Sequence, residues 1–167
     1  MTRDTYIRMT GATRRIISSL PGGKVWLRVP TLACAAAYLF ALLVLMLARD
    51  LRLICVLLVP AACFVVCTIL RPIIGRQRPY DRFTAEPVGS YKPGKGRSMP
   101  SRHTASAAAI ALAVAYAFSS PLLSVCMAFL CVVIAVLRVV CGQHYPGDVL
   151  AALLLSGAVS LIGYVLI

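Results

Sequence analysis

Charged residues are absent from most of this 167-residue chain. Four stretches, 29–48, 53–70, 104–137 and 149–167, contain no Asp, Glu, Lys or Arg. Hydrophobic residues make up 60% of the sequence and the mean hydropathy is +0.89, values outside the range of an ordinary soluble domain. The missing charges exclude a soluble fold and are typical of segments that span a bilayer.

Acidic residues are scarce wherever charge does occur. Five Asp and Glu stand against 17 Lys and Arg, which gives a formal net charge of +12. A basic balance can indicate nucleic-acid binding, but no soluble surface remains here to carry a binding groove. We therefore expect no nucleic-acid partner, and anionic lipid head groups or phosphate groups explain the excess better.

Ligand spacings for a metal or a disulfide framework are also missing. The seven cysteines are odd in number, lie almost entirely in apolar runs and form no Cys-x-x-Cys pair, and the chain has only two histidines. Cysteines in such positions are typical packing residues. We predict no disulfide, no metal and no cofactor.

The first 28 residues do not resemble a cleavable signal peptide, because six cations interrupt them and no apolar core precedes a small-residue cleavage site. Their apolar residues recur at loosely helical spacing, which predicts an amphipathic helix on the membrane that ends at Pro21-Gly22-Gly23. Trp26 would then lie at head-group level. We divide the chain into this basic segment, 1–28, and a transmembrane domain, 29–167.

The sequence predicts an all-α, polytopic membrane helix bundle of about five transmembrane helices. The spans 29–48 and 53–70 flank a short polar turn at residues 49–52. The stretch 104–137 is too long for one helix that crosses about 30 Å of hydrocarbon, and Ser119-Ser120-Pro121 divides it into two. The last span is 149–167, and 71–102 is the only long polar segment.

Counting the spans places three distant segments on one membrane surface. Span two ends at Arg71, span three begins near Ser101, span four ends near Arg138 and span five begins near Pro146. These four ends must share one face. The polar residues near them can therefore form a single site.

The only two histidines of the chain lie at this face. His144 precedes Asp148 by four residues, so the carboxylate can turn back to fix the imidazole tautomer and leave the other nitrogen as a nucleophile or base. His103 follows Pro100-Ser101-Arg102 at a predicted helix start, where free amides and Arg102 attract phosphate. Taken alone, a histidine at the position of His103 is more often an interfacial polar residue, and the pair of His144 and Asp148 is equally compatible with a helix cap.

Arginines supply the remaining positive charge at this face. The planar guanidinium donates two bonds to one phosphate, and we predict that Arg78 and Arg138 bind phosphate in this way. For Arg76 we favour simple anchoring at the membrane edge. Lys92, Lys95 and Arg97 either hold a second anionic group or form a solvated basic loop.

These residues resemble the motifs of the type-2 phosphatidic acid phosphatase superfamily. The first family motif is Lys, six residues, Arg-Pro, and here Arg71 precedes Arg78-Pro79. The second is Pro-Ser-x-His, present as Pro100–His103. The third is Ser-Arg, five residues, His, three residues, Asp, and here it reads Leu137-Arg138, His144 and Asp148. Arg71 and Leu137 depart from the usual Lys and Ser.

The resemblance implies a metal-independent lipid phosphatase. His144 would attack phosphorus and form a phosphohistidine, Asp148 would orient it, and His103 would protonate the leaving alcohol before water releases phosphate. The residues implied to hold the phosphate oxygens are Arg71, Arg78, Ser101, Arg102 and Arg138.

The substrate is expected to be a membrane lipid phosphate monoester: phosphatidic acid, phosphatidylglycerophosphate or a polyprenyl-linked phosphate. A polyprenyl pyrophosphate phosphatase and a lipid phosphotransferase that uses the same histidine remain alternatives, and a non-catalytic lipid-binding protein is a third. We expect an integral protein of a bacterial cell membrane. Family members usually work on the outer face, but the cations of the N-terminal segment favour a site that faces the cytoplasm.

Overall fold

The computed structural model describes residues 1–91 and 97–166, and these residues contain helices and no strands. The second predicted anionic site falls partly outside them, since Lys92 and Lys95 are not among the described residues. The helices within the described residues are α1 (Arg3–Ser19), α2 (Gly23–Trp26), α3 (Val29–Leu47), α4 (Arg52–Ile74), α5 (Pro79–Phe83), α6 (Arg102–Phe118), α7 (Pro121–Val140) and α8 (Pro146–Leu166).

The prediction of an all-α membrane bundle is confirmed. In the described part of the chain, four segments have the length and hydropathy of membrane spans: Val29–Leu47, Arg52–Phe83, Pro121–Val140 and Pro146–Leu166. Helix α6 corresponds to the remaining predicted span; it has 17 residues and is about 25 Å long. It lies in the centre of the bundle, packed against α3, α4, α7 and α8, while large apolar side chains of the surrounding helices point outward.

Small side chains allow the other helices to approach α6 closely. Ala105 and Ala109 are fully buried against Cys63 and Cys67 of α4 and Ala152 of α8. Small residues at such contacts replace the hydrophobic driving force that is missing inside a lipid bilayer. The cysteines therefore serve as packing residues at this contact.

The helix ends meet as the span count predicts. On one face, the Arg52 guanidinium donates to the carbonyl of Ala117 at 2.7 Å, which joins the start of α4 to the end of α6. On the other face, the Ser98 amide donates to the Arg76 carbonyl at 2.8 Å, and the Ser101 amide donates to the Asp148 carbonyl at 3.1 Å. Backbone hydrogen bonds thus connect all three predicted motifs.

Helix α4 is longer than predicted. It continues past Arg71 and Pro72 to Ile74 and ends at Gly75, which has φ +61° and whose amide donates to the Arg71 carbonyl. Glycine adopts this left-handed conformation without strain. Arg71 is consequently a buried residue of the last helical turns, and the chain leaves the helix only before Arg76.

Helix α1 lies across the same face as the motifs. Its buried Tyr6 donates to the Ala85 carbonyl at 3.0 Å, and Thr13 donates to the Val140 carbonyl at 3.1 Å. The amphipathic helix predicted for the N-terminal segment is present, but it contacts the loops of the bundle as well as presenting cations outward. Trp26 is half exposed, and its indole donates to the Pro21 carbonyl.

Candidate active site

A cavity of about 690 Å³ opens at the face where the three motifs meet. Each motif contributes two side chains to its wall. These residues are Arg71, Arg78, Arg102, His103, Arg138 and His144. The rest of the lining comes from the start of α3 and the residues just before it, from the segment before α6 and from the loop after α7: Leu27, Arg28, Thr31, Leu32, Gly89, Ser90 and Gln143. Both histidines and four of the predicted phosphate-binding arginines therefore surround one space.

A tight loop between α7 and α8 places His144 in this wall. The amides of Gln143 and His144 both donate to the Arg138 carbonyl at 3.1 Å. The loop turns at Gly142, which has φ +72°, and a Cβ there would lie 2.6 Å from the Tyr6 ring. Only glycine satisfies both conditions, so Gly142 couples the His144 loop to α1.

Asp148 faces the imidazole of His144, as predicted. His144 is 3% exposed and Asp148 is fully buried. The Nδ1–Oδ2 distance of 3.6 Å is longer than a hydrogen bond. The Ser98 hydroxyl lies beside the pair: it donates to Oδ2, and its oxygen is 3.5 Å from Nδ1. The Tyr145 amide also donates to Oδ2 at 3.0 Å. With Nδ1 directed at Asp148, Nε2 is the nitrogen available for chemistry.

The interpretation of Arg76 as a membrane-edge anchor is wrong. Its Nη1 donates to Asp148 Oδ1 at 2.8 Å, and its guanidinium lies 4.4 Å from the centroid of the Tyr145 ring. Because α4 ends at Gly75, Arg76 turns back into the bundle. A carboxylate buried among apolar helices needs a cation and donors, and Arg76 and Ser98 supply them.

Burial lowers the pKa of His144; Asp148 opposes this shift, while Arg78 and Arg71 lower the pKa further. The imidazole is therefore neutral at and somewhat below the pH at which an ordinary histidine titrates, about 6.5. A neutral imidazole retains the lone pair that a nucleophile needs.

Three arginines at the cavity wall each donate a hydrogen bond to a neighbouring residue and have further N–H donors. Arg71 donates to the Arg97 carbonyl, Arg78 to the Tyr80 hydroxyl at 2.9 Å and Arg138 to Gln143 Oε1 at 2.6 Å. Among the described residues, none of the three forms an ion pair. The Nε groups of Arg71 and Arg78 are buried and have no hydrogen-bond partner there. Unpaired cationic donors around one cavity are suited to bind an oxyanion.

Two predicted phosphate ligands lie differently from the others. Ser101 occupies the N-cap position of α6 but makes no side-chain capping bond; its buried hydroxyl lies 3.1 Å from that of Thr104 and does not line the cavity. The Ser101 amide donates to the Asp148 carbonyl, and this hydrogen bond turns the residue inward. Arg102 is at the cavity rim, 5.9 Å from the centroid of the Phe64 ring. Arg97 is exposed outside the cavity.

Replacing Arg76 by methionine is expected to lower kcat/KM by about tenfold to 100-fold, because a small displacement of a catalytic group has that cost. Without the Arg76 guanidinium, the negative charge of Asp148 would act more strongly on the imidazole of His144. The pKa of His144 would rise, and the acid limb of the pH–kcat/KM profile would move upward by up to about one unit.

The conservative variant Arg76→Lys keeps the charge and should leave the acid limb near its wild-type position. A purely structural role for Arg76 would lower activity in both variants without moving the limb, and this result would contradict the assignment.

Comparison with known proteins agrees with this geometry. The family model of the PAP2 superfamily matches residues 52–167. The fold is similar to the crystal structure of Aquifex aeolicus LpxE (TM-score 0.72, 21% identity, 96% of this chain and 93% of that chain). It is also similar to a transmembrane PAP2-type phosphatidylglycerolphosphate phosphatase from Bacillus subtilis (TM-score 0.70, 19% identity, 98% of this chain and 84% of that chain). Comparison with curated proteins gives no match. The chain is an integral membrane protein and belongs to the PAP2 superfamily.

Proposed function

We propose that this protein is a membrane phosphatase that hydrolyses a lipid phosphate monoester through a phosphohistidine intermediate. The observation that carries the proposal is the cavity in which His103 and His144 share a wall with four arginines, at the end of a bundle of apolar helices. A phosphate bound in this cavity would have both imidazoles in the surrounding wall.

In the first step, Nε2 of neutral His144 attacks phosphorus and the bond from phosphorus to the ester oxygen breaks. His103, protonated in the complex with the anionic substrate, gives its proton to that oxygen, and the lipid alcohol leaves. In the second step, His103 takes a proton from water, the oxygen of that water attacks phosphorus and the bond to Nε2 breaks. Phosphate is released, and both histidines return to their starting state.

The arginines offset the negative charge of the transferring phosphoryl group, whose stabilisation supplies most of the catalysis in such reactions. Arg71 and Arg78 have unpaired donors at the cavity wall, and Arg138 lines the same cavity. We propose that they serve in place of a metal ion. Activity should therefore survive dialysis against EDTA, and a loss that Mg²⁺ or Zn²⁺ restores would contradict this part of the proposal.

The substrate is expected to be phosphatidic acid, phosphatidylglycerophosphate or a polyprenyl-linked phosphate. The similar fold of a phosphatidylglycerolphosphate phosphatase supports a lipid phosphate. One observation favours the alternative of a polyprenyl pyrophosphate, because Arg28, a cation outside the three motifs, lines the same cavity. The predicted second anionic site at Lys92, Lys95 and Arg97 gains no support from Arg97, which lies outside the cavity.

Phosphate release in detergent from a panel of these lipids, with water-soluble phosphate esters for comparison, tests the proposal. We expect release from one or more lipid monoesters without an added acceptor. Phosphate release only when a lipid acceptor is present would instead identify a phosphotransferase. No release from any lipid phosphate would overturn the proposal.

We further propose that the site faces the cytoplasm, because the cations of α1 lie on the site face and such residues usually remain cytoplasmic. A cysteine at position 11 tests this orientation, since nothing lies within 4 Å of a Cβ added to Gly11. In intact cells, Gly11→Cys should resist a membrane-impermeant thiol reagent.

The matched control is Leu51→Cys, at a residue 82% exposed in the turn on the opposite face, which should react. The reverse labelling pattern would place the site on the outer face. Wild-type protein gives the background from the native cysteines.

A further inference from the structure

An apolar cavity of about 330 Å³ adjoins the phosphate cavity. The two cavities share Thr31, Arg102 and His103. Away from these residues the lining is mostly apolar. Several of its side chains are small, namely Cys34 and Ala35 of α3 and Ala107 of α6. The space that holds the two histidines is therefore continuous with a space suited to hydrocarbon.

A second cavity of about 300 Å³ continues this path along α6, between α6 and the facing residues of α3 and α4. It shares Ser106 and Ile110 with the first. His103, Ser106 and Ile110 are spaced three and four residues apart, so they lie on one face of α6. We call the two apolar cavities together the chain slot.

Three helices form the walls of the chain slot to the same depth. From Thr31 to Tyr38 on α3, and from His103 to Ile110 on α6, the wall extends seven residues, about 10 Å along each helix. On α4 it extends from Phe64 to Leu57, the same length in the opposite direction. The slot thus runs from the membrane edge toward the bilayer centre, in the direction that a lipid chain takes.

The Tyr38 hydroxyl in the slot has a protein partner and does not require water. Tyr38 donates its hydroxyl to the Val56 carbonyl at 2.9 Å, and the wall beside it is formed by Leu57, Pro60 and Ala61. Small residues such as Ala61 and Ser106 leave the space open. Each methylene buried in such a space strengthens binding by about fourfold.

We propose that the chain slot binds one hydrocarbon chain of the substrate while its phosphate lies between His103 and His144. This inference rests on the proposed phosphatase function and makes a separate statement about it: the enzyme selects substrates by chain length. A long chain reaches the cavity at Ala61, whereas a short chain ends near Ser106.

Filling the deep end of the slot tests this proposal. Ala61→Leu should lower kcat/KM for a long-chain alkyl phosphate by at least about tenfold, the cost of excluding two or more methylenes. Activity on a short-chain alkyl phosphate should change by less than about twofold. Both are measured in detergent at a fixed mole fraction.

The matched control is Ala62→Leu, because Ala62 is the next residue on α4 and is exposed like Ala61 but lines neither cavity. It should leave both rates unchanged. If Ala61→Leu does not fold, Ser106→Leu replaces it; Ser106 lines both apolar cavities, so this variant should also penalise the long chain more than the short one.

Equal kcat/KM of Ala61→Leu and Ala62→Leu on the long-chain ester would overturn the proposal. The slot would then contact only bilayer lipid. Failure of the phosphatase function is a different result, in which the wild-type protein releases no phosphate from any ester. In that case binding of the long-chain alkyl phosphate decides: weaker binding to Ala61→Leu than to Ala62→Leu supports the slot, and equal binding overturns it.

Discussion

Replacing His144 by alanine is expected to reduce phosphate release from the preferred lipid phosphate by at least about 10³-fold in kcat, because loss of a nucleophile removes the covalent route entirely. His144 is buried at the cavity wall with Nδ1 directed at Asp148, so no neighbouring group can take over the attack from the same position. The measurement is the rate of inorganic phosphate release in detergent at saturating substrate.

The folding control for this variant is its thermal unfolding and elution profile, which should match those of the wild type. Retention of activity within about tenfold would contradict a nucleophilic role, since ordinary positioning effects are of that size. A lipid-binding protein without catalysis would keep its function in His144→Ala, so the same variant separates these two classes.

Replacing His103 by alanine is expected to slow hydrolysis of alkyl phosphate esters by about 10²-fold to 10⁴-fold, the usual contribution of a positioned general acid. The loss should be much smaller for an aryl ester such as 4-nitrophenyl phosphate, because nitrophenolate leaves without a proton. The measurement is the ratio of kcat/KM for the two esters in wild type and variant.

Equal losses on both esters would contradict the role of His103 as an acid and would indicate that it only binds phosphate. Arg102→Ala serves as the comparison variant: Arg102 borders the same cavities as His103 but is proposed only to bind phosphate. Its losses should therefore be similar for both esters.

The sequence predicts the spans and the common face well, because both depend on where charge is absent. The uncharged stretches correspond to α3, α4, α6, α7 and α8 within a few residues, and parity alone brings Arg71, His103 and His144 to one side of the membrane. The motifs then place six side chains around one cavity. The spans and the common face depend only on how far apart charged and motif residues lie along the chain, and a single sequence shows these distances.

The positions of Arg76 and Ser98 could not be read from spacing. Both act on Asp148, and their approach depends on the end of α4 at Gly75 and on the hydrogen bond from the Ser98 amide to the Arg76 carbonyl. The available signal was Asp148 itself, since a carboxylate inside an apolar helix requires a cation. The sequence offered several arginines and no criterion to choose between them.

The docking of α1 on the site face was equally hidden. The amphipathic pattern of α1 predicts a helix at the membrane interface. It does not predict which other part of the protein that helix contacts. The contact of Tyr6 with the loop at Gly142 depends on a notch that exists only after α7 and α8 have packed. The sequence of α1 carries no pattern that indicates such a surface, because the surface is formed by other parts of the chain.

Trapping the covalent intermediate tests the central claim most directly. Protein mixed with a ³²P-labelled lipid phosphate and quenched within a turnover should carry a label that is stable in base and labile in acid, and that maps to the peptide containing His144. The His144→Ala variant should remain unlabelled. A label on another residue, or a label that persists in His144→Ala, would contradict the account.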